Sequence, residues 1–329
     1  MAISASAQAS IQDGMDDYYH GNFRAALAEF RPLADGGNAQ AQYQLGMIYD
    51  LGKGIKQDRK QALVWFRKAA EQGNPDAQLS MGLAYADGNG VPQNSAEALS
   101  WFRKSAEQGD RVAQFSLGVA YDNGQNVQHD VQEALSWYRK SAAQGYAKAQ
   151  YNLGMMYYSG EGVTRDFRES LFWFRKAADR GDADAQYNLG VMYDNGEGVP
   201  QDYTQAMKWY READKHGNIA QAQMNLGDMY FVGRGVAQDY AEAVLWFRKA
   251  AAQGRTKAQY NLGMAYKDGL GVAADLVQAH KWFELAAAAG DENAEAARKT
   301  LEATMLFKKA EPVKAHKKKR HAKKAADAE

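Results

Sequence analysis

Histidine and cysteine are the residue types most often recruited for metal ligation and nucleophilic chemistry, and this 329-residue chain has six of the first and none of the second. His20, His129, His216, His280, His316 and His321 share no HExxH or similar ligand spacing, and none recurs beside an acid and a nucleophile. The missing cysteines remove thiol chemistry and a disulfide frame, and leave the compartment open. Glycine pairs such as Gly160-Glu161-Gly162 do not read as phosphate loops, because they follow a helical pattern rather than a strand and lack the Lys-Ser/Thr pair. The expectation is therefore no catalytic residue, no metal site and no cofactor.

What the side chains do offer is recognition chemistry. Asn152, Asn188, Asn225 and Asn261 each stand one residue before a recurring Leu-Gly pair. Asn supplies both a donor and an acceptor, so a row of them suits either an extended peptide backbone or bonds between neighbouring units. Phe115, Tyr151 and Tyr187 lie two residues before those leucines, Met155 two after and Tyr158 five after. Spacings of i, i+4 and i+7 put these on one helix stripe, and aromatics and Met are enriched in interface cores. They read either as a partner-binding face or as packing between units. Finally, residues 308–329 hold nine Lys/Arg against three Asp/Glu, so +6 sits in the tail and −6 in the rest of a formally neutral chain. That tail reads as an arm for an anionic partner or as a solubilising end.

A strict repeat positions all of this. The seven tryptophans, Trp65, Trp101, Trp137, Trp173, Trp209, Trp246 and Trp282, are separated by 36, 36, 36, 36, 37 and 36 residues. Glycines from Gly46 to Gly263 keep the same period, the signature of stacked supersecondary units. Within 147–182, Ala149, Leu153 and Tyr157 mark one face of a first helix, A. Gly154 sits inside it at a cost of about 1 kcal/mol, which suggests close approach by a neighbouring helix. Gly160 and Gly162 then turn the chain with positive φ, a role taken by Asn126 in the third unit. Asp166 caps a second helix, B, with Glu169 in capping-box position, and Gly181 ends it. Ser170, Leu171, Phe174, Ala177 and Ala178 form its buried face, with Trp173 beside them. Strict periodicity beside caps and small packing residues marks the tryptophans as core rather than a ladder for stacking bases.

The pattern AQYxLGxxYxxGxGVxxDxxxAxxWFxxAAxxG resembles that of Sel-one-like repeats (SLR), relatives of tetratricopeptide repeats. The resemblance covers residues 39–291; Met81, in place of a leucine, is a volume-conserving departure. It implies an all-α, right-handed α-solenoid of antiparallel helix pairs whose A helices line a concave groove. The implied function is a non-enzymatic scaffold that binds a protein or peptide segment, with Phe115, Tyr151, Asn152, Met155, Tyr158, Tyr187, Asn188, Asn225 and Asn261 as the candidate contacts. Some cysteine-rich members bind penicillin-like ligands, so a penicillin-binding or hydrolytic protein is the alternative; the absent cysteines and nucleophile–base set argue against it.

In chain order, residues 1–38 read as an N-terminal capping helix pair and 39–291 as seven units forming one elongated domain. Their bounds are 39–74, 75–110, 111–146, 147–182, 183–218, 219–255 and 256–291. Residues 292–310 read as a C-terminal capping helix, and 311–329 as a disordered basic tail. In the first pair Glu29 stands where the tryptophan should be. The extra residue near Gly217 and the solitary Asp214, where other units have Ala, suggest a small change of superhelical path. No run is long and apolar enough to span a membrane, and a monomer is expected. Small residues from Ser4 to Ala9 resemble the end of an export signal without its preceding regions. Export to the bacterial periplasm is favoured over a cytoplasmic location.

Overall fold

A computed structural model describes residues 2–305, with side chains from residue 11 onward, as helices joined by short turns. The basic tail, with its proposed anionic partner, and residues 306–310 of the predicted capping helix lie outside the described residues. The chain divides into two compact units, Met1–Ala177 and Ala178–Glu329.

The first unit begins with α1 (Ala2–Tyr19) and α2 (Phe23–Asp35). A and B helices then alternate: α3 (Ala39–Leu51), α4 (Arg59–Glu71), α5 (Pro75–Asp87), α6 (Ser95–Glu107), α7 (Arg111–Asn123), α8 (Val131–Ala143), α9 (Ala147–Ser159) and α10 (Phe167–Ala178). The second unit continues with α11 (Ala183–Asn195), α12 (Tyr203–Gly217), α13 (Ala220–Val232), α14 (Tyr240–Ala252), α15 (Thr256–Asp268) and α16 (Leu276–Ala288). A last helix, α17, covers residues 292–305.

The mid-helix glycines explain how A and B pack. A Cβ on Gly154 would lie 2.5 Å from the Phe174 ring, and one on Gly118 would lie 2.5 Å from the Tyr138 ring. The same pairing recurs from Gly46–Phe66 to Gly263–Phe283, so a fully aromatic B-helix position presses its ring against each glycine. Gly14 and Phe30 repeat it in the N-terminal pair, which marks that pair as a shortened relative of the repeat.

Turn geometry follows the expected chemistry with one correction. Gly160 and Gly162 have φ of 81° and 71°, and Asn126 takes φ 58° where the third unit lacks its glycine. Asp58 accepts from the Gln61 N–H at 3.0 Å and Asp166 from the Glu169 N–H at 3.2 Å, so the forward half of each cap forms. The reciprocal half of the capping box is replaced. The N–H of Asp58, Asp130 and Asp166 goes to the carbonyl of Tyr49, Tyr121 and Tyr157, bonds of 2.9–3.1 Å. The A-helix C-terminus has unpaired carbonyls to offer, and the turn brings one to each cap before a glutamate side chain must be ordered.

Between repeats, the B-helix arginine reaches the next A-helix tyrosine: Arg67 to Tyr85 and Arg103 to Tyr121, both 2.6 Å, and Arg211 to Tyr230, 2.7 Å. A buried glutamine ladder runs beneath. Gln78 donates to the Ala70 carbonyl at 3.1 Å and accepts from Gln108 at 2.8 Å, and Gln114 is bonded likewise to Ala106 and Gln144. The tryptophans are buried at Trp65, Trp101 and Trp209 and half-buried elsewhere. Lysine ammonium groups cover Trp101 and Trp137 at 4.1 and 3.7 Å from the ring centres. That cover, with the burial, makes these rings part of the packing between helices.

Candidate functional site

In the first unit the A-helix stripe is half-buried. Tyr151 packs its ring 5.8 Å from Phe174 and Phe115 packs 5.9 Å from Tyr138, each inside its own repeat. Phe115 also meets Tyr146 at 5.2 Å, and Tyr158 meets Phe167 at 5.3 Å. Tyr151, Met155 and Tyr158 therefore form a half-buried row, in which the two tyrosines rest on aromatic rings of their own repeat. In the first two repeats the same helix positions line a cavity of about 420 Å³, walled by Tyr43, Met47, Leu79 and Leu83 together with Asp50 and Arg59.

The second unit repeats the pattern. Tyr187 lies 5.8 Å from Tyr210 and Tyr260 5.8 Å from Phe283. Tyr260, Met264 and Lys267 share a cavity of about 440 Å³ with Leu301 of α17. Burial pushes the Tyr187 phenol above its ordinary pKa, and Tyr43 up to about 12. Both rings stay neutral at any physiological pH and act as hydrogen-bonding apolar surfaces rather than anions.

The four asparagines do not form one free row. The Asn152 amide lies beside the Tyr138 phenol, and the Asn225 amide beside the phenols of Tyr187 and Tyr210, where each opposes the upward push of burial on the phenol pKa. Asn261 reaches the Asp228 carboxylate at 3.4 Å, and Asn188 donates to its own helix at the Asp184 carbonyl, 2.9 Å. Asn152, Asn225 and Asn261 thus face groups of the neighbouring repeat, while Asn188 is bonded within its own helix.

Those bonds reveal a polar relay that spacing alone did not mark. Tyr138 donates to Asp122 at 3.0 Å and Tyr210 to Asp194 at 3.3 Å. Burial first, and the neighbouring carboxylate next, raise both phenols, so each remains a donor. The signal was available in the sequence. Only units three and five pair an Asp five residues after the A-helix leucine with Trp-Tyr instead of Trp-Phe. A second missed feature is the position before the tryptophan, where Val64, Phe172 and Leu245 are exposed.

The histidines scatter as expected, with one exception. His280 Nε2 lies 2.8 Å from Glu302, tying α16 to α17, and His216 Nδ1 lies 3.1 Å from Gln186. His129 is exposed in the turn before α8 and shares a cluster with the half-buried Asp122 and the exposed Glu161, one ligand-capable atom of each lying within 4.8 Å of the others. Both His316 and His321 lie outside the described residues.

The family model for the Sel1 repeat matches seven stretches, 39–74, 75–110, 111–146, 147–182, 183–218, 220–254 and 256–291. The chain belongs to the Sel1-repeat family. It is 39% identical to c5321, described as a protective antigen in uropathogenic Escherichia coli strains displaying an SLR fold, with a TM-score of 0.84. That similarity covers 91% of this chain and 65% of c5321, so the chain spans less than two thirds of that protein. A Sel1 repeat protein from Oxalobacter formigenes is 34% identical over 92% of this chain and 90% of its own, with a TM-score of 0.67. No curated protein matches the chain. The fold is an all-α repeat solenoid, and Sel1-repeat proteins are generally protein–protein interaction scaffolds. Among the described residues no helix is long and apolar enough to cross a membrane.

Proposed function

We propose that this Sel1-repeat chain is a non-enzymatic scaffold that holds a peptide or protein segment in a groove formed by the A helices. The observation that carries the reading is the row Tyr151, Met155 and Tyr158, half-buried on a rigid back of Phe174 and Phe167. Rings braced on one side lose little side-chain entropy when a partner covers the other, so their contact area converts efficiently into affinity. Phe115 extends the same chemistry within the first unit, and in the second unit Tyr187 offers a like surface beside Asn188, whose amide suits a contact to a peptide backbone. Asn152, Asn225 and Asn261 serve this surface by fixing the tyrosines and Asp228 rather than by touching the partner.

The test begins with affinity capture and mass spectrometry to identify a partner segment, followed by calorimetry with that segment. Replacing Tyr151, Met155 and Tyr158 with Ala should leave the helical circular-dichroism signal intact and weaken binding by at least about 30-fold, since two or three interface anchors each contribute about 1 kcal/mol or more. Unchanged affinity in a folded triple variant refutes this face as the binding site.

A further inference from the structure

We propose that Asp122, His129 and Glu161 form a site for a divalent transition metal of the zinc class, bridging the third and fourth repeats. Their ligand-capable atoms already lie within 4.8 Å of one another. A metal with bonds of about 2.0–2.2 Å to nitrogen and oxygen needs its ligands roughly 3–4 Å apart, so the three groups have to draw together by about 1 Å around the ion. One imidazole nitrogen with two carboxylates favours zinc, cobalt or nickel over the all-oxygen preference of magnesium and calcium.

The backbone that carries these side chains is firmly placed. Gln132, at the start of α8, donates to the Gly162 carbonyl at 2.7 Å and draws the fourth repeat's turn onto the third repeat. A Cβ on Gly162 would lie 2.4 Å from Val131, so only glycine permits that approach, with φ of 71°. Asp130 caps α8 through the Glu133 N–H at 3.1 Å, which anchors the chain one residue after His129. Tyr138 donates to Asp122 Oδ2 at 3.0 Å, orienting the carboxylate as an outer-shell partner orients a metal ligand.

Comparison with the equivalent slot two repeats later supplies the charge argument. There Tyr210 bonds Asp194 in the same way, and the turn of the following repeat presents Arg234, 3.9 Å from that carboxylate. In the first repeat Asp50 meets Arg59 at 3.8 Å. Asp122 instead faces Glu161, which occupies the position of Arg234, so two carboxylates converge where a cation balances one elsewhere. His129 is equally distinctive. At its position Gln57, Gln93, Gln201 and Gln238 each donate to the carbonyl five residues after the A-helix leucine, at 2.6–2.8 Å. The third repeat gives up that tie and places an imidazole beside the carboxylates.

The test uses the full-length chain, stripped with a chelator and titrated with ZnCl2 by calorimetry, with CoCl2 absorption as a second readout. His316 and His321 are present in every variant and form a constant background. His129→Gln and Glu161→Arg install residues that other repeats already tolerate at these positions, so folding should persist and is checked by circular dichroism. Each should weaken zinc by at least about tenfold and abolish the cobalt spectrum. Tyr138→Phe, the residue of five other repeats, should weaken zinc by about tenfold with the cobalt spectrum retained. Zinc and cobalt titrations identical between wild type and His129→Gln or Glu161→Arg would overturn the proposal.

Discussion

Replacing Gly154 with alanine separates two reasons for a glycine inside a helix. If it were there by tolerance alone, alanine would stabilise the chain by about 1 kcal/mol through helix propensity. The structure demands the opposite. The new methyl would lie 2.5, 2.6 and 3.1 Å from three atoms of the Phe174 ring, where carbon contacts are normally about 3.5–4.0 Å. Phe174 is completely buried and Leu153 and Ala177 around it are too, so the ring has no space to withdraw by the roughly 1 Å required. Overpacking of this kind costs about 1–3 kcal/mol, leaving a net loss of up to about 2 kcal/mol. Phe174→Ala alone should cost about 3–5 kcal/mol. In that background the obstacle is gone, and Gly154→Ala should turn stabilising by about 1 kcal/mol. Urea titrations of the four chains, followed by circular dichroism with equal m-values as the check on a shared unfolding transition, give the cycle. An equal effect of Gly154→Ala in both backgrounds would refute the packing argument.

Substitutions at two further positions probe the second unit. Asp214 accepts from the buried Gln223 amide at 2.6 Å and meets Lys249 at 3.1 Å, so Asp214→Ala should lower stability by about 1–2 kcal/mol in a urea titration while Asp214→Asn, which retains the acceptor, costs less; equal losses would dismiss the acceptor role. Asp228 has its pKa raised, by burial first and by Asp194, against the opposing pull of Lys257 and Arg234. The charged form is therefore the costly one in the fold, and its penalty applies above the raised value and disappears below the ordinary carboxylate range near about 3.9. Asp228→Asn should accordingly raise Tm at pH 7 and make no difference once the pH falls below that range; a lower Tm at pH 7 would contradict the sign.

The periodicity made the helices, turns, glycines and caps legible because those features recur at one place in every unit and depend on local chemistry. Asn126 at positive φ was readable for that reason, as the stand-in for a glycine that other units supply. Contacts between units were harder. Gln78 recurs as regularly as Gly82, yet nothing in its spacing shows that one amide spans the Ala70 carbonyl and Gln108. The stripe of Tyr151 and Met155 was readable as a face, while the placement of Asn152 beside the Tyr138 phenol depends on how far one repeat is displaced from the next, which no periodic pattern encodes.

The information that remained hidden lies in correlated departures from the repeat. Asp214 is the clearest case. In other units the helix B carbonyl at this position, such as that of Ala70, accepts both the closing Gly73 N–H and the Gln78 amide. Around the inserted residue α12 runs on to Gly217, and Asn218 at φ 50° closes it by donating to the Asp214 carbonyl at 2.8 Å. The longer helix redirects the end at which Gln223 would have found a main-chain acceptor. The Asp214 carboxylate takes over, so insertion and substitution form one compensated change rather than two independent marks of a bent path. The same logic reads Asp122, His129 and Glu161 together: each is unremarkable alone, and only their coincidence across two turns distinguishes a ligand set from solvated charge. In a chain of near-identical units, where shared positions maintain the stack, such coupled exceptions are where individual chemistry resides.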